Sequence, residues 1–242
     1  MFYFILQPIL IYNFILIAAA VIPAVALMVK VYQSDRLERE SPWLLWSLMK
    51  VGILSSLLAL VIERVLSFLL GFIASPDSAI YNVILYFIVV ACSEEGSKYA
   101  LLKKETWNNL EFNCQYDGVV YAVFVSLGFA LWENISYVMT YGFSTAIVRA
   151  VTAIPGHACF GVFMGVFYGI AKKYDNRRMT KITGIYRKLS VVVPVILHGA
   201  YDYIASIENQ GSGWAFVLFV AVLFGISYIL VNRASEADKY ID

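Results

Sequence analysis

The amino-acid sequence predicts an all-α, polytopic transmembrane helix bundle. Hydrophobic residues make up 61% of the 242 residues and charged residues 14%, against about 45–50% and about 25% in ordinary soluble domains. The apolar residues are grouped in segments long enough to cross a bilayer core, for which a helix needs about 20 residues. The basic residues are concentrated in the stretches that follow alternate segments.

Seven apolar segments can be marked, and we expect them to be the spans of one integral membrane domain, residues 1–242. They are residues 4–29, 43–62, 80–102, 118–139, 144–171, 190–207 and 214–231. The first segment has no basic residues before it and is too long for a signal peptide, so we expect it to be retained. Residues 65–73, after Glu63 and Arg64, are too few to span as a helix. We expect them to lie along the outer membrane surface, with those two residues as an exposed ion pair.

The distribution of lysine and arginine predicts the orientation in the cell membrane. Basic residues follow segments one, three, five and seven, whereas loops 75–79, 141–143 and 208–213 contain none. Because lysine and arginine mark the cytoplasmic side, the N-terminus is predicted outside and the C-terminus inside. Arg149, near the outer end of its segment, is expected to reach the interface by snorkelling. The net charge of +1 says nothing about nucleic acid, because the basic residues occupy short loops and not one face. We expect the lipid bilayer, and no nucleic acid, as a partner.

Ionisable residues within these segments predict a functional site. Both histidines of the chain, His157 and His198, lie in spans, together with several carboxylates. A charged side chain near the bilayer centre costs at least about 2.5–3.5 kcal/mol, so such residues usually face the protein interior.

Two of the acidic positions have a simple structural alternative. Glu94 and Lys98 are four residues apart on one helical face, with Glu95 about 100° away. An ion pair at the cytoplasmic helix end, with Glu95 in water, would explain this spacing equally well. Asp117, at the start of the fourth segment, is expected to be a helix N-cap.

The remaining positions indicate chemistry more strongly. Glu133 is followed by Asn134 in the middle of a span, and His198 and Asp202 are one turn apart. At that spacing a carboxylate can orient an imidazole, or both can bind one metal ion. A hydrogen bond within the core is the structural alternative for the His198–Asp202 pair.

Depth along the helices tests whether these groups can meet. At about 1.5 Å per residue, Glu94 and His157 lie roughly 21 Å below the outer face and His198 about 18 Å. We therefore expect these three side chains to converge in one cavity. Glu133 comes out at about 8 Å, so it joins them only if its helix is tilted or starts later. A buried glutamate could then act as general base, or histidines and carboxylates could hold Zn²⁺.

The fifth segment carries two helix-packing features. Gly161, Gly165 and Gly169 form a stripe that lets another helix approach closely. Pro155 and Gly156, directly before His157, are expected to loosen the helix at that point.

At these residues the chain resembles the PrsW family of membrane-embedded proteases. Its motifs are matched in order by Glu94-Glu95-x-x-Lys98, Phe129-x-x-x-Glu133, His157 and His198-x-x-x-Asp202. The similarity covers residues 93–203, within a motif-bearing core of about 80–207.

The resemblance implies an endopeptidase of the wider clan of type II CAAX prenyl endopeptidases, acting on membrane-anchored anti-sigma factors. The expected catalytic residues are Glu94, Glu95, Glu133, His157 and His198. Supporting roles fall to Lys98, Asn134 and Asp202. The expected ligands of a zinc ion are His157, His198, Glu133 and Asp202. Glu133 replaces a histidine of the CAAX enzymes, which leaves metal-dependent and glutamate-based catalysis both open.

Two other functions fit the same composition. Buried carboxylates also serve proton- or ion-coupled transporters, although no inverted repeat is visible in the sequence. A catalytically inactive scaffold could bind a membrane helix through the glycine stripe, although it would not need every ionisable motif residue.

Overall fold

The computed structural model describes residues 2–76, 78–207 and 211–241, with side chains from residue 11 onward. The predicted basic-free loops 75–79 and 208–213 thus lie partly outside the described residues. Over the described ranges the chain forms nine α-helices and one π-helical segment. They are α1 (Phe2–Gln33), α2 (Pro42–Ile73), α3 (Ala79–Val83), the π-helical segment (Ile84–Ala91), α4 (Cys92–Thr106), α5 (Asp117–Tyr141), α6 (Phe143–Val151), α7 (Ala153–Asn176), α8 (Thr180–Ala205) and α9 (Ser212–Glu236).

The helical, multi-pass architecture predicted from composition is confirmed. Among the described residues, six helical stretches are long and apolar enough to cross a membrane, and α3, the π-helical segment and α4 form one of them, Ala79–Thr106. The sixth predicted span lies in α8, which has 26 residues but a more polar composition, because it carries His198 and Asp202 as well as basic residues. The orientation of the termini stays a prediction.

Helix α2 corrects the prediction for residues 65–73. Pro42–Ile73 is one continuous helix of 32 residues, started by Pro42 in its first turn and by Ser41, whose hydroxyl accepts a hydrogen bond from the Leu44 amide. The stretch after Glu63 therefore continues the same span and does not lie along the membrane surface. Glu63 is partly buried and lines a cavity inside the bundle.

The predicted fifth span is broken at Thr152, between α6 and α7. The helix is thus interrupted three residues before Pro155 and Gly156, where we expect it only to loosen. Pro155 stands in the first turn of α7, where a missing amide hydrogen is tolerated because no intrahelical acceptor is available there. His157 consequently lies in regular helix close to the start of α7.

Helix α5 is the central element, with 83% of its most apolar 18-residue stretch buried. The glycine stripe of α7 packs against it, as predicted: a Cβ on Gly165 would fall within 3 Å of the Gly118 and Val119 backbone. At a different place on α5, a Cβ on Gly52 of α2 would fall within 3 Å of the Val125 and Gly128 backbone. Glycines thus allow α2, α5 and α7 to approach at backbone distance.

Asp117 does not cap its own helix, which corrects the expectation that it is the N-cap of the fourth segment. Its Oδ2 atom accepts hydrogen bonds from the Asn113 and Cys114 amides at 3.0 and 2.6 Å. These amides belong to the loop before α5, so the carboxylate stabilises the conformation of that loop and does not cap the first turn of the helix.

Gly165→Ala is expected to lower the free energy of unfolding by about 1–3 kcal/mol, because the added methyl group collides with backbone that cannot rotate away. Thermal unfolding in detergent measures this loss. The matched control is Gly184→Ala in α8, where nothing lies within 4 Å of the added atom and helix propensity predicts a neutral or stabilising change. Equal melting temperatures for the two variants would contradict this account of α5–α7 packing.

Candidate active site

Four helices bring the motif residues together inside the bundle. Glu94, Glu95 and Lys98 lie in the first two turns of α4, directly after the π-helical segment. π-helical turns are rare and are often found next to functional sites. The wider turn also changes the direction in which the following side chains point.

Lys98 lies at the centre of the cluster, and its side chain is fully buried. The ammonium Nζ lies 2.6 Å from Glu95 Oε1, 3.3 Å from Glu94 Oε2 and 3.2 Å from His157 Nδ1. It also lies 4.0 Å from the centre of the Phe129 ring. Helical spacing predicts an ion pair between Lys98 and Glu94, whereas in the structure Lys98 lies closer to Glu95.

Glu95 is completely buried, which is the opposite of a solvated helix-end residue. Its Oε1 atom contacts Lys98 and also His198 Nδ1, at 2.9 Å. Its second oxygen, Oε2, has no hydrogen-bond partner among the described residues. The carboxylate therefore joins α4 to α8 through buried, charge-assisted contacts.

His198 is held on both sides. Its Nδ1 atom faces Glu95, and its Nε2 atom lies 3.3 Å from Asp202 Oδ2, one turn further along α8. The Phe160 ring stacks on the imidazole with the ring centres 4.6 Å apart. These contacts fix both the position and the orientation of the ring.

His157 is held in a similar way by a different carboxylate. Its Nε2 atom lies 2.9 Å from Glu133 Oε2, while its Nδ1 atom faces Lys98. Glu133 thus joins the cluster, which the depth estimate had left open. The rings of His157 and His198 lie 5.4 Å apart and nearly perpendicular, at 87°. The predicted convergence of both histidines with the α4 glutamates is therefore confirmed.

The side chain of Arg149 points into the bundle, which corrects the expectation that it snorkels to the membrane interface. Its guanidinium donates to Glu133 Oε2 at 2.8 Å and to Asn134 Oδ1 at 2.9 Å, and it stacks over Tyr137. Asn134 in turn donates to the Ala20 carbonyl of α1. Asn134 therefore supports Arg149 and lies behind the cluster.

A cavity of about 260 Å³ opens beside the cluster. Glu94, His157 and His198 line it, whereas Glu95 does not. Glu94 is 6% exposed, and its Oε2 atom lies 3.9 Å from His198 Nδ1. Of the two adjacent glutamates, Glu94 is thus the one that a water molecule in the cavity can reach.

Several cavity residues were missed by sequence reasoning. They are Glu63, Tyr86, Tyr201 and the guanidinium of Arg149. Glu63 could have been recognised, because residues 43–73 are apolar enough for one long tilted span with this acid inside it. The tyrosines had no distinguishing spacing, since this chain contains 17 of them.

The side chains could hold a divalent metal ion. One ligand atom from each of Glu94, Glu95, His157 and His198 lies within 4.8 Å of the others. Imidazole nitrogen and carboxylate oxygen are ligands that zinc accepts. The Oε2 atom of Glu95 is also buried and accepts no hydrogen bond from the described residues, so its lone pairs are available to a metal ion.

The Nε2 atom of each histidine faces away from this group and contacts a carboxylate, as is usual for a histidine that binds a metal ion. Glu133 and Asp202 contact the Nε2 atoms of His157 and His198, and a metal-bound histidine usually donates its other N–H to a carboxylate. This arrangement favours Glu94 and Glu95 over Glu133 and Asp202 as carboxylate ligands, in contrast to the set expected from sequence. Lys98 contacts three of the four side chains that could hold the metal ion, so they cannot bind its ammonium and a metal ion at the same time.

Comparison with known proteins identifies the family to which the chain is similar. Residues 40–229 match the family model described as PrsW family intramembrane metalloprotease. The chain is 34% identical to Protease PrsW of Geobacillus kaustophilus, over 94% of each chain. It is 32% identical to that of Oceanobacillus iheyensis, over 91% of this chain and 96% of the relative. Protease PrsW of Bacillus subtilis is 30% identical, over 87% and 90%. No solved structure matches the chain.

Proposed function

The chain belongs to the PrsW family of intramembrane metalloproteases and is a multi-pass protease of the cell membrane, and we propose that Glu94, His157 and His198 form its hydrolytic centre. The observation that carries this proposal is the meeting of these three side chains on one cavity inside the bundle. A transporter or an inactive scaffold would not require a carboxylate and two oriented imidazoles on the same cavity.

Glu94 is the general base of this proposal. Its carboxylate takes a proton from a cavity water as the water oxygen bonds to the substrate carbonyl carbon. The same proton then passes to the leaving nitrogen as the carbon–nitrogen bond breaks. The Nε2 atoms of His157 and His198 face Glu133 and Asp202, so the Nδ1 atoms are the ones that would bind a metal ion or contact the substrate.

Glu95, Lys98, Glu133 and Asp202 position these groups. Glu95 and Asp202 hold His198 between them, and Glu133 holds His157. Lys98 neutralises part of the negative charge, which is substantial because the described side chains of the site include five carboxylates against two permanently charged cations. The carboxylates are Glu63, Glu94, Glu95, Glu133 and Asp202, and the cations are Lys98 and Arg149.

Zinc fits this group of donors, and Glu95, His157 and His198 are the residues that would hold it, which leaves Glu94 free to act as the base. When bound, such an ion lowers the pKa of its water and polarises a carbonyl. The charge of the site supports this part of the proposal, because a divalent cation would offset most of the excess of carboxylates.

We propose a membrane-anchored protein of the anti-sigma factor type as the substrate. Family membership supports this choice, and the position of the cavity among the spans supports a substrate segment that lies in or next to the bilayer. Hydrolysis there would release the soluble part of the substrate for signalling.

Cleavage of a membrane-anchored anti-sigma factor by the purified chain in liposomes tests the proposal. Wild-type protein should release a soluble fragment, and His198→Ala should release none. The control Glu105→Gln, an exposed acid of α4 that accepts a hydrogen bond from Ser47, should retain full activity. Loss of cleavage with a chelator, restored by Zn²⁺, would support the metal, and unchanged cleavage would remove it. Equal cleavage by His198→Ala and wild type would overturn the site.

A further inference from the structure

A second group of buried acids lies at the other end of α5 from Glu133. Asp35 and Glu40 come from the loop between α1 and α2, and Asp117 from the first residue of α5. They are only 3%, 5% and 1% exposed. One oxygen from each lies within 4.8 Å of the others.

The chain does not neutralise these acids. Among the residues that the structure describes, no lysine or arginine lies within ion-pair distance of Asp35, Glu40 or Asp117, and the charge of Arg39 acts only weakly on Asp35. Asp238 of the C-terminal segment adds a fourth negative charge nearby. Buried carboxylates without a cation are costly, and the interior usually pairs them or supplies a metal ion.

Unpartnered polar atoms at the same place indicate that a ligand is expected there. Within the part of the chain that the structure describes, neither carboxylate oxygen of Asp35 nor Asp117 Oδ1 makes a hydrogen bond of standard geometry, and all three atoms are buried. The hydroxyl of Tyr121, a residue that is 0% exposed, lies beside Glu40 and also lacks a hydrogen bond of standard geometry. Native structures leave few buried polar atoms without a hydrogen bond, so several such atoms at one place indicate that a binding partner belongs there.

The pKa values in the loop agree with this interpretation. Burial, together with the neighbouring negative charges, raises the pKa of Asp35 to about 6 and that of Glu40 to about 9. The protein's own groups therefore do not stabilise the ionised carboxylates, and a bound cation would.

We propose that Asp35, Glu40 and Asp117 bind a hard divalent cation, Mg²⁺, Ca²⁺ or Mn²⁺, at a site separate from the active site. Carboxylate-only donors favour these ions over zinc or copper, which are better served by nitrogen and sulfur. The cation joins the α1–α2 loop to the start of α5.

The C-terminal segment is fastened at the same place. Its Asp238 accepts from the Tyr116 amide, and the Gln115 and Ile241 amides bond across the loop before α5. A cation bound to Asp35 and Asp117 therefore also holds the surroundings of the chain's C-terminal end.

Thermal unfolding of the full chain in detergent, stripped with a chelator and then titrated with each of the three ions, tests the site. At a hundredfold excess over Kd, the best ion should raise the melting temperature of wild type by about 5 °C or more. Glu40→Gln and Asp35→Asn should lose this response. His198→Ala should keep it, because the active site is not involved.

Glu236→Gln is the matched control, since Glu236 is an exposed acid at the same end that contacts Arg36. It should respond as wild type does. Mn²⁺ binding followed by electron paramagnetic resonance gives a second measurement, and we expect at least a tenfold loss of affinity in Glu40→Gln even if that variant is less stable. No response of wild type to any of the three ions would overturn the proposal. So would an unchanged response in Glu40→Gln and Asp35→Asn, because the ion would then bind elsewhere.

Discussion

Glu94→Gln should reduce kcat by about 10²–10⁴-fold, the usual contribution of a general base, with little change in melting temperature. Glutamine keeps the size and most hydrogen bonds of the side chain but cannot take a proton from water. Glu94 contacts Lys98 at 3.3 Å and faces the cavity, so its neutral replacement is tolerated. Cleavage kinetics and thermal unfolding, measured on the same preparation, test both parts.

Glu95→Gln is the informative comparison, because the two glutamates are adjacent but differently placed. Glu95 contacts Lys98 at 2.6 Å and His198 at 2.9 Å and does not line the cavity. Its replacement should lower the melting temperature as well as activity. Glu105→Gln, on the exposed face of α4, should change neither. If Glu95→Gln alone abolished turnover in a fully stable protein, the roles of the two residues would have to be exchanged.

Lys98→Met should lower the free energy of unfolding by about 3–5 kcal/mol, which is typical when one partner of a buried ion pair is removed. The variant leaves the carboxylates of Glu94 and Glu95 buried without their cation, while methionine retains most of the apolar volume. Unfolding by denaturant in detergent measures the loss.

A double variant separates charge from packing. Lys98→Met combined with Glu95→Gln removes both charges of the closest pair, so we expect it to be more stable than Lys98→Met alone. If the losses of the two single variants simply added, the buried pair would not be coupled, and the central position of Lys98 would carry no electrostatic role.

The sequence was sufficient to predict the bundle and the convergence of several ionisable side chains inside it. Charged residues are so costly in apolar spans that Glu94, His157 and His198 could be expected to meet, and the depth estimate placed them at one level. Helical spacing also gave the His198–Asp202 contact, because residues four apart share a face.

Other contacts depend on features that spacing does not contain. Glu95 and Glu94 precede Lys98 by three and four residues, and helical spacing allows either contact, so only the structure shows that Glu95 is the closer partner. The contact between Arg149 and Glu133 joins α6 to α5, which spacing along one segment does not contain. Glu63 was missed because one long helix was interpreted as a span followed by a surface stretch.

The second acidic group could not be predicted for a different reason. Asp117 is far in sequence from Asp35 and Glu40, and the three acids come together only through tertiary packing of the α1–α2 loop on α5. Each of them alone is an ordinary residue at the end of a span, where an acid needs no special explanation.

Hydrolysis in isotope-labelled water tests the central claim most directly, that this cluster splits a peptide bond with a water molecule activated by Glu94. The purified chain in liposomes would be given a membrane-anchored substrate in H₂¹⁸O, and the new C-terminus of the fragment would be weighed by mass spectrometry. The account predicts ¹⁸O in that carboxylate with wild type and no fragment with Glu94→Gln. Labelled fragments in equal amounts from both proteins would contradict it.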